Sequence, residues 1–255
     1  MLLTLDLGNT NLTVGVFREE ELVCEFRIAT DRTLTGDQYA VQLLSVLKLH
    51  NIEGGDIHGA IISSVVPGLD MVLSHAVEMI TSIKPLLVGP GVKTGIDIRI
   101  DNPAQLGADL LVGAVASYAK YGVPCIIWDL GTATTVSVID KDGLFRGGAI
   151  MPGVGTSLDS LVSRASLLPR IRLEAPECVI GTNTADSMKS GSVFGTAAMV
   201  DGMSERIEEE LGTPATVVIT GGLGEEIAAR CRRKTVYDGR LLLDGLRLLY
   251  EKNAR

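Results

Sequence analysis

Aromatic residues make up only 4% of this 255-residue chain, and its 9 prolines are outnumbered by 29 glycines. Plentiful glycine within a 46% hydrophobic, largely aliphatic composition suits tight strand-to-helix turns and excludes a disordered or fibrous chain. Cysteine is also sparse. Cys24, Cys125, Cys178 and Cys231 lie far apart with no CxxC, and His50, His58 and His75 form no ligand pair, so neither a disulfide framework nor a zinc site is expected. All four thiols are expected to be reduced and buried or half-buried. No run rich in Lys or Arg occurs, and the formal net charge is −8, which argues against a nucleic-acid partner while leaving a local anion site open. No apolar run approaches a membrane span, and MLLTLDLGN lacks a basic segment ahead of Asp6. A soluble, cytoplasmic protein without a membrane partner is the expectation. The absence of GxxxxGK[ST] and of a strand-linked GxGxxG makes a P-loop NTPase and a Rossmann dehydrogenase poor competitors.

What is present is an internal repeat. LTLDLGNTNLTVGVF, from Leu3, resembles IIWDLGTATTVSVID, from Ile126, and sliding one over the other superposes Asp6 on Asp129, Leu7 on Leu130, Gly8 on Gly131 and Thr10 on Ala133. Each copy reads as an apolar strand ending in Asp, a glycine-containing turn, a second strand, a charged turn and a third strand. After the first meander, Thr35 caps a helix to about His50 with Tyr39, Leu43, Leu44 and Leu47 at helical spacing; AIISSVV is a strand; Pro67 suits the first turn of a helix; and PLLVG is a strand. After the second, helices are expected over about 154–167 and 184–211, then strand ATVVIT, a helix over 224–230 and a last helix over 240–251. The fold class is α/β: two duplicated domains, 1–119 and 120–255, each a mixed sheet flanked by helices, with the final helix packing back towards the first.

A helix joins the halves. Asn102 is a good N-cap and Pro103 a good first residue, so the helix is expected to begin there, apolar almost all round from Leu106 to Ala119. Asp109 would then lie inside it. A carboxylate so placed costs several kcal/mol unless it is paired, hydrogen-bonded or open to a water-filled cleft, so it either serves chemistry or caps a neighbouring element.

Taken alone, DLGNTN fits any tight hairpin, but two such hairpins offer backbone N–H groups and hydroxyls able to surround a polyphosphate. Their carboxylates would face phosphate through a metal ion and its waters. ITGGLGEE, from Ile219, is either an ordinary βα turn or a glycine step that lets a base or ribose approach the backbone. GGAIMPGVGTSLDSL is a connector or a loop feeding a helix N-terminus at an anion site. In IGTNTADSMKSG, Asn183 and Thr184 are helix caps that could also donate to a substrate.

The ordered motifs DLGNTN, DNPxxxGAD, DLGTATT, GGxIxPG, NTxxSMxSG and TGGL resemble the type III pantothenate kinases, of the actin/hexokinase/acetate-kinase superfamily, over nearly the whole chain. That resemblance implies ribonuclease-H-like, actin-like domains with a nucleotide cleft between them, and ATP-dependent phosphorylation of pantothenate to 4'-phosphopantothenate, the first step of coenzyme A biosynthesis. It implies that Asp6, Leu7, Gly8, Asn9, Thr10, Asn11, Leu12 and Thr13 hold ATP phosphates, Asp6 also holding magnesium through water. It further implies Thr132 at ATP, Gly221 and Gly222 near the adenosine, and Asp129 at a monovalent cation, potassium or ammonium. Asp109 would be the general base, with Ile100, Gly107, Ala108, Leu110 and Thr184 around pantothenate, in a homodimer. The family pattern has Tyr where Ile100 stands and Arg where Leu110 stands. Either other side chains such as Arg99 or Arg164 replace those contacts, or the chain is a divergent kinase with another substrate or a nucleotide-binding regulator.

Overall fold

In the computed structural model, which describes residues 1–254, the chain opens on β1 (Leu2–Leu7), β2 (Asn11–Arg18) and β3 (Glu21–Ala29). These form an antiparallel meander, as the repeat predicts. Next come α1 (Gly36–Leu49), β4 (Gly59–Ser64), α2 (Leu69–Thr81), β5 (Leu86–Leu87) and the short β6 (Asp97–Ile98). Helix α3 (Ala108–Tyr121) leads to the second meander, β7 (Cys125–Leu130), β8 (Ala133–Ile139) and β9 (Leu144–Pro152). The chain ends with α4 (Val154–Arg164), α5 (Thr184–Leu211), β10 (Thr216–Thr220), α6 (Gly224–Ala228), β11 (Val236–Tyr237) and α7 (Leu241–Asn253).

Two sheets result. The first has the order β3-β2-β1-β4-β5, and the second repeats it as β9-β8-β7-β10-β11 with β6 added beyond β9. Orientations repeat as well: β1 is antiparallel to β2 and parallel to β4, just as β7 is antiparallel to β8 and parallel to β10. Contacts divide the chain into two compact units. One comprises Met1–Gly95, Asn102–Ala116 and the chain from Leu241 on; the other comprises Ile96–Asp101 and Ser117–Arg240. The units interleave, where the sequence reading drew a single boundary after residue 119.

In the first unit, Leu3, Leu5 and Leu7 of β1 join Leu12, Val14 and Val16 of β2 in a core with Leu43, Leu47, Leu73 and Val77 of α1 and α2. Helix α1 starts where the sequence predicts: the Thr35 hydroxyl accepts from Gln38 N, and Gln38 reciprocates at the Thr35 N–H. Pro67, expected in the first turn of α2, instead precedes its N-cap, because Gly68 takes a left-handed conformation (φ 86°) and reverses the chain first. On the other face of this sheet lies α7. A Cβ on Gly15 would stand 3.0 Å from Leu243, and one on Gly59 would collide with Tyr250.

Three further expectations need correction. Pro103 opens only a 3-10 turn, Pro103–Gln105, whose Asn102 makes no capping bond; Leu106 is extended (φ −63°, ψ 125°), and the α-helix begins afresh at Ala108. Asp109 is therefore in a first turn and not inside a longer helix. From Leu111 to Ser117 every residue of α3 is buried, as its apolar surface predicts. Cys178 is exposed, because it lies between α4 and α5 in a stretch without regular structure. The helix expected to reach residue 167 stops at Arg164.

The second unit buries Ile126, Trp128, Leu130, Val136 and Val138 against Val193, Ala197 and Val200 of α5. Trp128 donates its indole N–H to Ser204 Oγ at 3.0 Å. The chain leaves this unit through a buried carboxylate: Asp238 accepts from Lys120 Nζ (2.6 Å), Tyr121 Oη (2.8 Å) and Arg240 N (3.1 Å), tying the end of α3 to the start of α7. Burial alone would push this carboxyl up, yet the Lys120 and Tyr121 hydrogen bonds and the lysine charge hold it below the ordinary value. A lowered native pKa makes the bond a stabilising one above the ordinary value of 3.8, lost as pH falls through the native one. Asp238→Asn should cost about 2 kcal/mol in denaturant melts at pH 7. The gap between variant and wild type should narrow when the melts are repeated below pH 4.

Candidate active site

Each meander presents an aspartate one residue before its first turn. Asp6 pairs with Thr13 across β1 and β2, and Asp129 pairs with Thr135 across β7 and β8. The turns close between Gly8 N and Asn11 O (3.0 Å) and between Gly131 N and Ala133 O (3.1 Å). Since Leu7 pairs with Leu12 but Leu130 with Thr134, the first turn carries one additional residue. Counting back from the second strand, Thr10 corresponds to Thr132, which corrects the sequence superposition of Thr10 on Ala133. Asn9 is the residue without a counterpart. The duplication extends to a bulge in each outer strand pair, at Val16/Phe17 and at Val138/Ile139.

Alternation along the strands decides where the carboxylates point. Leu3, Leu5 and Leu7 face the α1–α2 core, so Thr4 and Asp6 occupy the opposite face. Ile126, Trp128 and Leu130 face α5, which sends Asp129 to the other face of β7.

Different parts of the chain brace the two turns. Thr30, just past β3, donates its hydroxyl to Gly8 O at 2.7 Å and its N–H to Thr10 O at 2.9 Å. Arg32 donates to Asn9 Oδ1 at 2.8 Å. In the second unit, Thr132 O accepts from Gly153 N (3.1 Å) and Thr156 Oγ1 (2.8 Å), and a Cβ on Gly153 would collide with the Gly131 and Thr132 carbonyls. Gly221, at φ 91°, comes so close that a Cβ there would stand 2.7 Å from Asp129 Oδ1 and from Leu130 N. Asp129, Thr132 and Gly221 are thus brought together, with Gly222 exposed beside them. Thr30, Arg32 and Thr156 carried no signal in the sequence, because only the fold brings their segments to the turns.

Asp109, in the first turn of α3, is half-buried, and its Oδ1 accepts from Leu110 N at 2.8 Å. Gly107 makes room for it, since a Cβ there would lie 2.5 Å from Asp109 Oδ1. Burial raises this carboxyl above its ordinary value, while the N–H groups of Leu110 and of Asp109 itself pull the other way. The helix N-terminus also favours the charged form, so the carboxylate is held by backbone dipoles, without a basic partner among the described residues.

The family model described as type III pantothenate kinase matches residues 2–206. A curated type III pantothenate kinase of Exiguobacterium sp. is 44% identical over 255 residues, covering 100% of both chains. That of Koribacter versatilis is also 44% identical, over 99% of this chain and 96% of the relative. The chain belongs to the type III pantothenate kinase family. Among solved structures, component A of (R)-2-hydroxyglutaryl-CoA dehydratase from Acidaminococcus fermentans is similar in fold (TM-score 0.60, 15% identity, 100% of this chain and 99% of that one). So is an ethanolamine utilization protein from Carboxydothermus hydrogenoformans (TM-score 0.51, 16% identity, 97% and 89%).

The remaining positions singled out for this family divide between the units. Gly107 to Leu110 belong to the first and Ile100 and Thr184 to the second. Ile100 runs beside β9, where a Cβ on Gly147 would meet it at 3.5 Å, and neighbouring Arg99 N donates to Phe145 O. Arg99 itself pairs with Asp97 at 2.8 Å, and Arg164 is exposed at the end of α4. Thr184 follows Asn183, whose side chain caps α5 by accepting from Asp186 N at 2.9 Å. It also lines a largely apolar cavity of about 640 Å³ between α4 and α5, with Thr134, Met151, Val154, Met188 and Met199. Asp129 and Thr132 are not among the residues lining that cavity.

The Asp109 environment makes a signed prediction. A carboxyl with a raised native pKa binds its proton more tightly folded than unfolded, so its contribution to stability is present below 3.8 and is lost as pH rises through the native value. Asp109→Asn should therefore melt at a higher temperature than wild type at pH 7, and the two should converge near pH 3. A lower melting temperature at pH 7 would mean that the charged form is the stabilised one.

Proposed function

We propose that this chain transfers the terminal phosphate of ATP to the primary hydroxyl of pantothenate, giving 4'-phosphopantothenate at the start of coenzyme A biosynthesis. Its family and its full-length relatives support that reading, among them the Moorella thermoacetica enzyme at 42% identity over all of this chain. The observation that carries it is Asp109: a half-buried carboxylate without a basic partner among the described residues, kept accessible by Gly107 and more basic than an ordinary aspartate. As general base it orients the hydroxyl and takes its proton. The hydroxyl oxygen bonds to the γ-phosphorus, the bond to the β,γ-bridging oxygen breaks, and ADP leaves with that electron pair. In a loose transition state little proton transfer precedes bond breaking, so a carboxylate suffices and positioning supplies most of the rate.

The residues from Asp6 to Thr13 would hold the phosphates with backbone N–H groups and hydroxyls, with Thr132 also at ATP and Gly221 and Gly222 beside the adenosine. Ile100, Gly107, Ala108, Leu110 and Thr184 would surround pantothenate. Asp129, whose carboxylate fills the place of a Gly221 side chain, suits a potassium or ammonium ion, and Asp6 suits magnesium held through water. Among the described residues no group of three or more His, Cys, Asp or Glu could hold a metal, so phosphate and water oxygens would complete either site. When bound, such cations neutralise charge on the phosphates. A homodimer belongs to the same reading, and Ile150, Leu167 and Ile180, exposed at 74%, 92% and 82%, are apolar side chains that a partner could cover. No helix among the described residues is long and apolar enough to cross a membrane, which suits a cytoplasmic setting. A divergent substrate or a regulatory role would rest on Ile100 and Leu110 alone, and full-length likeness to kinases weighs against it.

A coupled ADP-release assay with magnesium and potassium should give turnover that depends on pantothenate. ATP binding with no such turnover would overturn the assignment. Asp109→Asn should keep ATP affinity while turnover falls by roughly 10²–10⁴, the usual contribution of general base catalysis. Unchanged turnover would remove Asp109 from the chemistry.

A further inference from the structure

We propose that Arg32 is a phosphate-contacting residue, a guanidinium preset at the tip of the first hairpin to bind the polyphosphate of the nucleotide. The proposal rests on the reading of Asp6 to Thr13 as the phosphate site and adds to it a cation that reaches the turn.

Three observations converge. The segment leading into Arg32 is gripped twice: the buried Tyr39 hydroxyl accepts from Asp31 N at 3.0 Å and donates to Asp31 O at 2.9 Å, while Thr30, one residue earlier, donates to Gly8 O and Thr10 O. A surface arginine is ordinarily a mobile, solvated side chain, but here the backbone on which it stands is fixed to the turn it touches. Second, the adjacent carboxylate does not neutralise it. Asp31 Oδ1 accepts from Thr33 N at 2.8 Å and Thr33 Oγ1 at 2.7 Å, bonds that hold its carboxyl below the ordinary range, and it serves its own turn. Third, Arg32 attaches at the place where the two repeats differ. It donates to Asn9, the residue that the second turn lacks, whereas Gly153 and Thr156, which donate to the second turn at Thr132 O, are neutral. An arginine offers five N–H donors in a planar fork, and this bond uses one of them. The exposed remainder matches the geometry of phosphate oxygens.

The test compares nucleotides of different phosphate length. Binding of ATP and AMP to wild type, Arg32→Ala and Arg32→Lys is measured by calorimetry, alongside KM for ATP and pantothenate. Loss of a charge-assisted contact should weaken ATP about ten- to hundredfold in Arg32→Ala. AMP affinity and the pantothenate KM should stay within about twofold, and Arg32→Lys should recover part of the loss because the charge remains. Arg32 is exposed, so the melting temperature should not move. ATP affinity unchanged in Arg32→Ala, or ATP and AMP weakened alike, overturns the proposal. A wild-type protein that binds no ATP overturns the nucleotide reading itself, and Arg32 with it.

Discussion

Side chains on a β-strand alternate between faces, so the leucines that bury β1 under α1 and α2 force Asp6 onto the opposite face, and Ile126, Trp128 and Leu130 do the same for Asp129. A slip of one residue would put an aspartate into an apolar core and take several large side chains out of it. Each buried leucine contributes on the order of 2–5 kcal/mol, so register is fixed many times over before any ligand arrives. The position of both carboxylates is thus a by-product of core packing. Duplication then repeats the arrangement, down to the bulges at Val16/Phe17 and Val138/Ile139.

The hairpin turns proposed above as the phosphate site have no lysine beside them in sequence. They are instead brought within reach of other backbone: Thr30 against Gly8 and Thr10, Gly153 against Thr132, Gly221 against Asp129 and Leu130. Such approaches need missing side chains, which is why glycine falls at 153 and 221 and why a φ of 91° is tolerated at Gly221. Fixed N–H dipoles cost no reorganisation when charge arrives, whereas flexible lysines would have to be ordered. A net charge of −8 is therefore compatible with a polyphosphate ligand.

How much of this could be read beforehand follows from which forces are local. The repeat, the meanders, the Thr35 cap and the long α5 were legible because strand alternation, helical spacing and cap chemistry act over a few residues. The additional residue Asn9 was not, since equal spacing in sequence hides an unequal turn until the Leu7 and Leu130 pairings are known. Nor were β6 and β11, two-residue strands that exist only because a neighbouring edge offers them hydrogen bonds. Of the site, Asp6, Asp129 and Asp109 announced themselves as carboxylates in apolar surroundings. Thr30, Arg32 and Thr156 did not, because nothing near them in sequence marks the turn they will meet.

Helix α3 is where a strong local signal lost, and the loss has a use. Asn102 and Pro103 are good helix-starting chemistry, and a helix begun there would carry Asp109 in its second turn, where every N–H already has an intrahelical partner. The extended Leu106 interrupts it and creates a new N-terminus at Ala108. The N–H groups exposed by that break, Leu110 N among them, are what receives the Asp109 carboxylate, and the helix dipole adds to them. Burial still wins in sign, since the carboxyl is raised and not lowered. The interruption therefore gives a desolvated carboxylate N–H donors of its own, a setting that suits the general base proposed above. A continuous helix from Pro103 would offer the burial without the donors, and the group would then sit protonated over a wider range of pH.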